Sequence, residues 1–239
     1  MRGLGTIINV AFILLGGLFG MLFGKRISAR TQDLLLTATG VATLFIGGSG
    51  AMAKMLVLSD GVLSAEGSLM LIISLALGGV IGSALNIEAL IECFGRWLRE
   101  KSGSSGDKAF IDGFVTASCT VCIGAMAVVG SIEDGIYGNY SILLAKGVLD
   151  AIIVCILTAS QGKGCIFSAV PVAVFQGAIT ILAIFSGSFM TAGMLEALSL
   201  VGSVLIFCVG LNLIRGEKIS VANLLPSLAI AVIWGFLAE

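Results

Sequence analysis

Residues 142–160 read ILLAKGVLDAIIVCILTAS. At 1.5 Å per helical residue this run covers most of the roughly 30 Å of a bilayer's hydrocarbon core, which takes about 20 apolar residues to cross. Two charges interrupt it, Lys146 and Asp150. They lie roughly 6 and 12 Å into the run at the helical rise. A charge at membrane depth costs about 2.5–3.5 kcal/mol on insertion scales, and an ionisable residue kept there is a functional candidate by default. Four residues apart, the two share a helix face and can pair. The stretch therefore reads as a membrane span carrying an internal ion pair. That pair is either a binding or coupling site or a staple that locks the span to its neighbours.

The rest of the chain repeats the apolar pattern, with a single charge in each of three other runs, Lys54, Asp112 and Glu196. Of 239 residues, 58% are hydrophobic and 11% are charged, against about 25% charged in an ordinary soluble domain. Mean hydropathy is +1.13. The 33 glycines fit this class, since glycine is common in membrane helices. The predicted fold class is all-α, a polytopic helical membrane protein forming one transmembrane domain over residues 1–239. Eight spans are expected, at 4–24, 34–58, 68–87, 109–131, 142–160, 165–186, 191–214 and 219–238.

The basic residues test that count. Loops one, three, five and seven hold ten of the thirteen: Lys25, Arg26, Arg30, Arg96, Arg99, Lys101, Lys108, Lys163, Arg215 and Lys218. Loops two, four and six hold none. The positive-inside rule then places the odd loops in the cytoplasm and both termini outside. The first apolar run has its basic residues mostly after it and no A-x-A-like site, so it reads as a retained helix.

Residues 87–101, IEALIECFGRWLREK, place Ile87, Leu90, Ile91, Phe94, Trp97 and Leu98 at helical spacing. Glu88, Glu92, Arg96, Arg99 and Glu100 take much of the other face. This predicts an amphipathic helix on the cytoplasmic surface, with a solvated connector as the alternative. Gly16, Gly20 and Gly24, and again Gly78 and Gly82, recur every four residues. Such faces let another backbone approach closely. The partner is another helix of this chain or a second subunit, so a homo-oligomer stays open.

A weak internal echo joins the two ends. GVATLFIGGSG (40–50) aligns with GSVLIFCVGLN (202–212), and SLALGGVIG (74–82) with SLAIAVIWG (227–235). At the first offset Val10-Ala11 falls on Val172-Ala173. Halves 4–87 and 165–238 would then correspond across an odd number of spans, which makes them inverted repeats of the secondary-transporter kind. Chance matching of glycine-rich helices is the rival account.

Further candidate groups surround these elements. Glu133 and Asp134 are adjacent acids at the outer end of span four, and with Asp60 and Glu66 they would give an outer mouth a cation-attracting field. Thr116, Ser118 and Thr120 crowd the cytoplasmic half of span four and offer hydroxyls to a solute path. Gly113, Gly124 and Gly130 would weaken that helix, and exposed carbonyls there need a cavity. Gln176 and Asn212 are amides inside the echoing segments; like Asn9, each is otherwise an ordinary helix-to-helix hydrogen bond. Cys119 and Cys122 form a CxxC in a membrane span, a weak redox or metal signal.

The chain has no histidine. The commonest general base and metal ligand are thus missing. No enzyme, metal or cofactor is implied, and the net charge of −1 gives no reason to expect nucleic acid. The partners implied are the lipid bilayer and a small solute or cation.

The stretches GTIINVAFILLGGLFGMLFGK, SLALGGVIGSALNIE, FVTAS, GSIEDG, LLAKGVLDAI, FSAVPVAVFQG and VGLNLIRGEKISVANLLPSLAIA resemble, in order, the YdfK/YqgA-like family of uncharacterised bacterial inner-membrane proteins (domain of unknown function 554). The family pattern has a proline where this chain has Ala125, and Cys119 stands outside it. The resemblance implies a bacterial plasma-membrane location and a transporter-like role with no established substrate. The function expected is secondary transport of an ion or small solute through the Lys146–Asp150 pair. A passive channel and a non-transport scaffold or sensor are the alternatives.

Overall fold

The computed structural model describes residues 2–23, 28–59, 62–90, 93, 108–122, 125–186, 190–215 and 218–238. Among these, the elements are α1 (Leu4–Phe23), α2 (Ala29–Met55), β1 (Leu56–Ser59), β2 (Val62–Ala65), α3 (Ser68–Leu85), α4 (Lys108–Cys122), α5 (Ala125–Tyr137), α6 (Ser141–Gln161), α7 (Ala169–Ser186), α8 (Ala192–Arg215), α9 (Val221–Leu224) and α10 (Pro226–Leu237). A 3₁₀ segment, Lys163–Ser168, leads into α7. The architecture is all-α and polytopic, as the apolar runs predict.

Among the described residues, six helical stretches are long and apolar enough to cross a bilayer: Leu4–Phe23, Ala29–Met55, Ser68–Leu85, Ser141–Gln161, Lys163–Ser186 and Ala192–Arg215. The fourth and eighth expected spans are instead built from shorter helices, α4 with α5 and α9 with α10. Whether α4 runs on into α5 falls on residues 123–124, outside the described residues. Most of the expected surface helix 87–101 lies outside them too; residues 87–90 and Cys93 are helical.

Boundaries follow local chemistry. The two prolines, Pro171 and Pro226, both sit in the first turn of a helix, where an N–H has no intrahelical partner to lose. Gly162 ends α6 at φ 93° and donates its N–H to the Thr158 carbonyl. With ψ −174° this is a positive-φ conformation open essentially to glycine alone, and it feeds directly into the 3₁₀ segment.

One element departs from expectation. Span two was to run to residue 58, but α2 stops at Met55 and a two-stranded antiparallel hairpin follows, pairing Leu56 with Ala65 and Ser59 with Val62. The sequence between those ends is Asp60-Gly61, and an Asp-Gly pair flanked by β-formers is the strongest short-range hairpin signal.

The chain forms two compact units, Met1–Leu36 with Ala89–Gly187, and Thr37–Glu88 with Ser188–Glu239. In the first, α1 lies parallel to α6. Gly5 approaches Leu143, Gly16 the Ala151 backbone, and Gly20 the Cys155 carbonyl. α7 runs antiparallel to α1, with Thr6 beside Thr180 and Gly17 against Ile166. The α4 and α5 segments descend α6 in order: Gly113 meets Gln161, Val121 is bonded by Lys146, and Gly130 meets Leu143. Both segments therefore run antiparallel to α6.

In the second unit, α2 and α8 are antiparallel, Gly40 lying near Gly210 and Leu213 and Gly47 near Phe207. α3 and α10 are antiparallel as well, with Gly78 on Ser227 and Gly82 on Asn223 preceding α10. The expected packing faces thus find partners within this chain: Gly16 and Gly20 on α6, Gly78 and Gly82 on the α9–α10 segment. Gly24 lies outside the described residues.

A candidate polar site between four helices

α6 buries one stripe: Leu143, Lys146, Gly147, Leu149, Asp150, Ile153, Val154, Cys155 and Thr158. The charged pair belongs to this packed stripe. Lys146 and Asp150 are 5% and 1% exposed, so the lysine does not snorkel to an interface. Its Nζ donates to Asp150 Oδ2 at 2.5 Å and to the Val121 carbonyl at 2.8 Å. Val121 lies at the end of the described part of α4.

Asp150 is half-satisfied. Its Oδ1 makes no hydrogen bond to a protein group. The Asn9 side chain lies against this carboxyl but falls short of hydrogen-bond geometry, and both of its amide atoms are unpartnered. Asn9 is brought there by the close packing of α1 on Gly147, where a Cβ would stand 3.3 Å from the Asn9 Cα.

Gln176 arrives from α7. It is fully buried, and neither its Oε1 nor its Nε2 has a protein partner. Its place follows from the Thr6–Thr180 contact of 3.5 Å. Asn9 is three residues deeper along α1 and Gln176 four residues deeper along antiparallel α7. That puts the two amides about 4.5 and 6 Å below the hydroxyl pair, on the facing sides of their helices. Ser131 joins from α5. Gly135 packs on Thr180 and Ala183, and Ser131, one turn deeper on the same face, is buried with an unpartnered hydroxyl.

Four helices of the first unit thus each carry a buried polar side chain at about this depth: Asn9, Ser131, Asp150 with Lys146, and Gln176. An unpartnered amide in an apolar interior costs roughly 2–7 kcal/mol, depending on the reference state. Clustering several of them is a poor way to build a purely structural core.

The other expected site residues are dispersed. Asp134 is not an acid of an open mouth. It is fully buried, and its Oδ2 accepts the Gly5 N–H at 2.9 Å, in the first turn of α1. There a carboxylate meets an orphan donor and the positive helix end. Glu133 is part-buried and accepts a 3.0 Å bond from the Asn139 amide. Asn212 staples the segment after α8, its Nδ2 donating to the Ile219 carbonyl and its Oδ1 accepting the Lys218 and Ile219 N–H groups; it belongs to the second unit, apart from Gln176. Thr116 and Thr120 lie exposed on α4, whereas Ser118 is buried. Thr120 and Ser118 spend their hydroxyls on the Thr116 and Phe114 carbonyls. The three do not share a face that a single solute path could use. The side chains of Cys119 and Cys122 lie outside the described residues.

The Asp134 cap gives a direct expectation. Asp134→Ala should lower stability by about 1 kcal/mol, as loss of a helix cap does, and Asp134→Asn by less, because an amide oxygen still accepts from Gly5. Reversible unfolding in detergent reads both; equal stability of Asp134→Ala and wild type would show that the bond contributes nothing.

A family model described as "Protein of unknown function (DUF554)" matches residues 4–236. The chain is 30% identical over 226 residues to a protein of Bacillus subtilis (strain 168) described as "Uncharacterized membrane protein YdfK", covering 95% of this chain and 93% of that one. It is 26% identical over 233 residues to "Uncharacterized protein YqgA" of Escherichia coli (strain K12), covering 96% and 94%. No solved structure matches.

Proposed function

This chain belongs to the DUF554 family, and on that premise we propose that it is a secondary transporter, moving an ion or small polar solute across the bacterial plasma membrane. The observation that carries the reading is the half-satisfied Asp150 carboxyl at the middle of α6, with the Asn9 amide of α1 against it and a further buried, unpartnered amide, Gln176, on α7. This cluster leaves acceptors and donors over, which is what a site for a polar passenger requires.

Two features support the transport architecture. α4 and α5 both run antiparallel to α6; taken together as a fourth crossing, and with α9 and α10 as a last one, they would bring the six long apolar helices to eight crossings. On that count the positive-inside rule would give the basic loops to the cytoplasm and put both termini outside. In addition, the echoing segments pair with one another, α1 with α7, α2 with α8 and α3 with α10, each antiparallel. That is the arrangement inverted repeats produce around an axis in the membrane plane. Each compact unit mixes elements from both halves of the chain.

The Lys146 bond to the Val121 carbonyl favours a second reading, a scaffold in which the pair ties α6 to α4. Flux separates the two. Purified protein is placed in liposomes containing a pH-sensitive dye, and alkali-cation and pH gradients are imposed. Asp150→Asn and Lys146→Ala should lose at least about ten-fold of the driven flux, the effect of 1.4 kcal/mol or more at the limiting step. Undiminished flux in both variants, each shown to be folded, would remove the pair from the mechanism. Current without saturation would point to a channel.

A further inference from the structure

We propose that the cluster in the first unit is a site for one dehydrated monovalent cation, coordinated by Asp150 Oδ1, Asn9 Oδ1 and Gln176 Oε1, with the Lys146 ammonium as a tethered competitor for the same carboxylate. The proposal rests on the transport reading above and names its passenger.

The ligand chemistry decides the class. All three atoms are hard oxygens, and none has a protein partner. Among the described residues no group of three histidine, cysteine or acidic side chains is gathered. Hard oxygen ligands select alkali and alkaline-earth ions over transition metals. Calcium sites use several carboxylates, and magnesium demands near-ideal octahedral geometry. Here there is one carboxylate, and its charge is already opposed by an ammonium 2.5 Å away. With the ammonium retained, a monovalent ion leaves one positive charge in excess and a divalent ion two, so the single carboxylate favours the monovalent class in a low-dielectric interior.

Lys146 supplies the exchange. Its ammonium occupies Asp150 Oδ2 while holding the Val121 carbonyl with a second donor. A cation settling on Oδ1 competes for the same charge. The ammonium can let go of the carboxylate without losing all of its partners, because the Val121 carbonyl remains. The other groups facing this place are uncharged: Asn9 from α1, Gln176 from α7 and Ser131 from α5. The nearest further buried charge among the described residues is Asp134, whose Oδ2 accepts the Gly5 N–H and whose Oδ1 has no protein partner.

The test compares thermal unfolding in detergent, with lithium, sodium, potassium or choline chloride at equal ionic strength, and then flux. At least one alkali ion should raise the midpoint of wild type above its value in choline. Asn9→Ala, Gln176→Ala and Asp150→Asn should lose that shift, and the two amide variants should raise the half-saturating cation concentration for flux at least about ten-fold. Lys146→Gln should show a larger cation-dependent shift than wild type, because the competitor is gone and Asp150 has no other counter-charge. Should Asn9→Ala fail to fold, Asn9→Ser keeps an oxygen and is expected to retain part of the shift.

A shift given by calcium or magnesium and by no alkali ion would overturn the inference. So would alkali-ion shifts that survive in all three ligand variants, or a Lys146→Gln protein indifferent to cations. If no cation shifts the midpoint while Asp150-dependent flux persists, the inference fails and the transport reading stands. If flux itself ignores Asp150, the transport role of the pair fails with it.

Discussion

Replacing Lys146 by methionine should destabilise the protein by about 3–5 kcal/mol in choline buffer, the cost of leaving one member of a buried ion pair alone. The lysine's stem packs within the α6 stripe, and methionine fills much of that volume, so the loss is mostly electrostatic. The Asp150 carboxylate would remain, 1% exposed, without a counter-ion. Asp150→Asn should cost less, about 1–3 kcal/mol, because the ammonium keeps the Val121 carbonyl at 2.8 Å and an amide oxygen still faces it. The double variant, Lys146→Met with Asp150→Leu, removes both charges and should recover most of the loss, since apolar replacement of a buried pair is often neutral or stabilising. Equilibrium unfolding in detergent measures all three. A double variant as stable as wild type but without flux would mean the charges are kept for transport. A Lys146→Met protein within a few tenths of a kcal/mol of wild type would mean that water reaches Asp150 freely.

How far the sequence reveals this site depends on the range of each interaction. The Lys146–Asp150 pair is legible because both partners lie on one helix, one turn apart. Its half-open state is not, since Asn9 and Gln176 are distant in sequence from Asp150 and from each other. Each looks like a lone amide in an apolar run until α1, α6 and α7 are packed together. Ser131 is the member that sequence reasoning passes over, and Asn9 is read there only as an ordinary helix-to-helix hydrogen bond. Asn9 carried a signal, a fully amphoteric side chain three residues after Thr6 on a helix whose other polar positions are few. Asp134 misleads for the same reason: an acid beside Glu133 near a loop reads as solvent-facing, and its partner, the Gly5 N–H, is 129 residues away. The hairpin at 56–65 was legible in Asp60-Gly61, but a strongly apolar flank resembles the end of a span. Spacing alone shows that the glycine faces pack, and only the fold shows against what.

Leucine at Gly16 should be the most damaging apolar substitution in the first unit. A Cβ there would overlap the Ala151 carbonyl oxygen, and at Gly20 the Cys155 carbonyl. The obstacle in each case is backbone, which cannot rotate away as a side chain can. Overpacking a core typically costs 1–3 kcal/mol, and forcing two main chains apart should reach at least the upper part of that range, about 3 kcal/mol. The consequence is not confined to stability. The contacts that seat α1 on α6 also hold Asn9 against Gly147 and Asp150, so Gly16→Leu should weaken the cation-dependent shift in any protein that still folds. Gly177→Ala is the matching control. It neighbours Gln176 on α7, yet nothing lies within 4 Å of a Cβ built there. That change should be neutral or stabilise by about 0.5–1 kcal/mol through helix propensity alone. If Gly16→Leu and Gly177→Ala behave alike in unfolding and in cation response, α1 and α6 are not held at backbone distance, and the placement of Asn9 beside Asp150 fails with them.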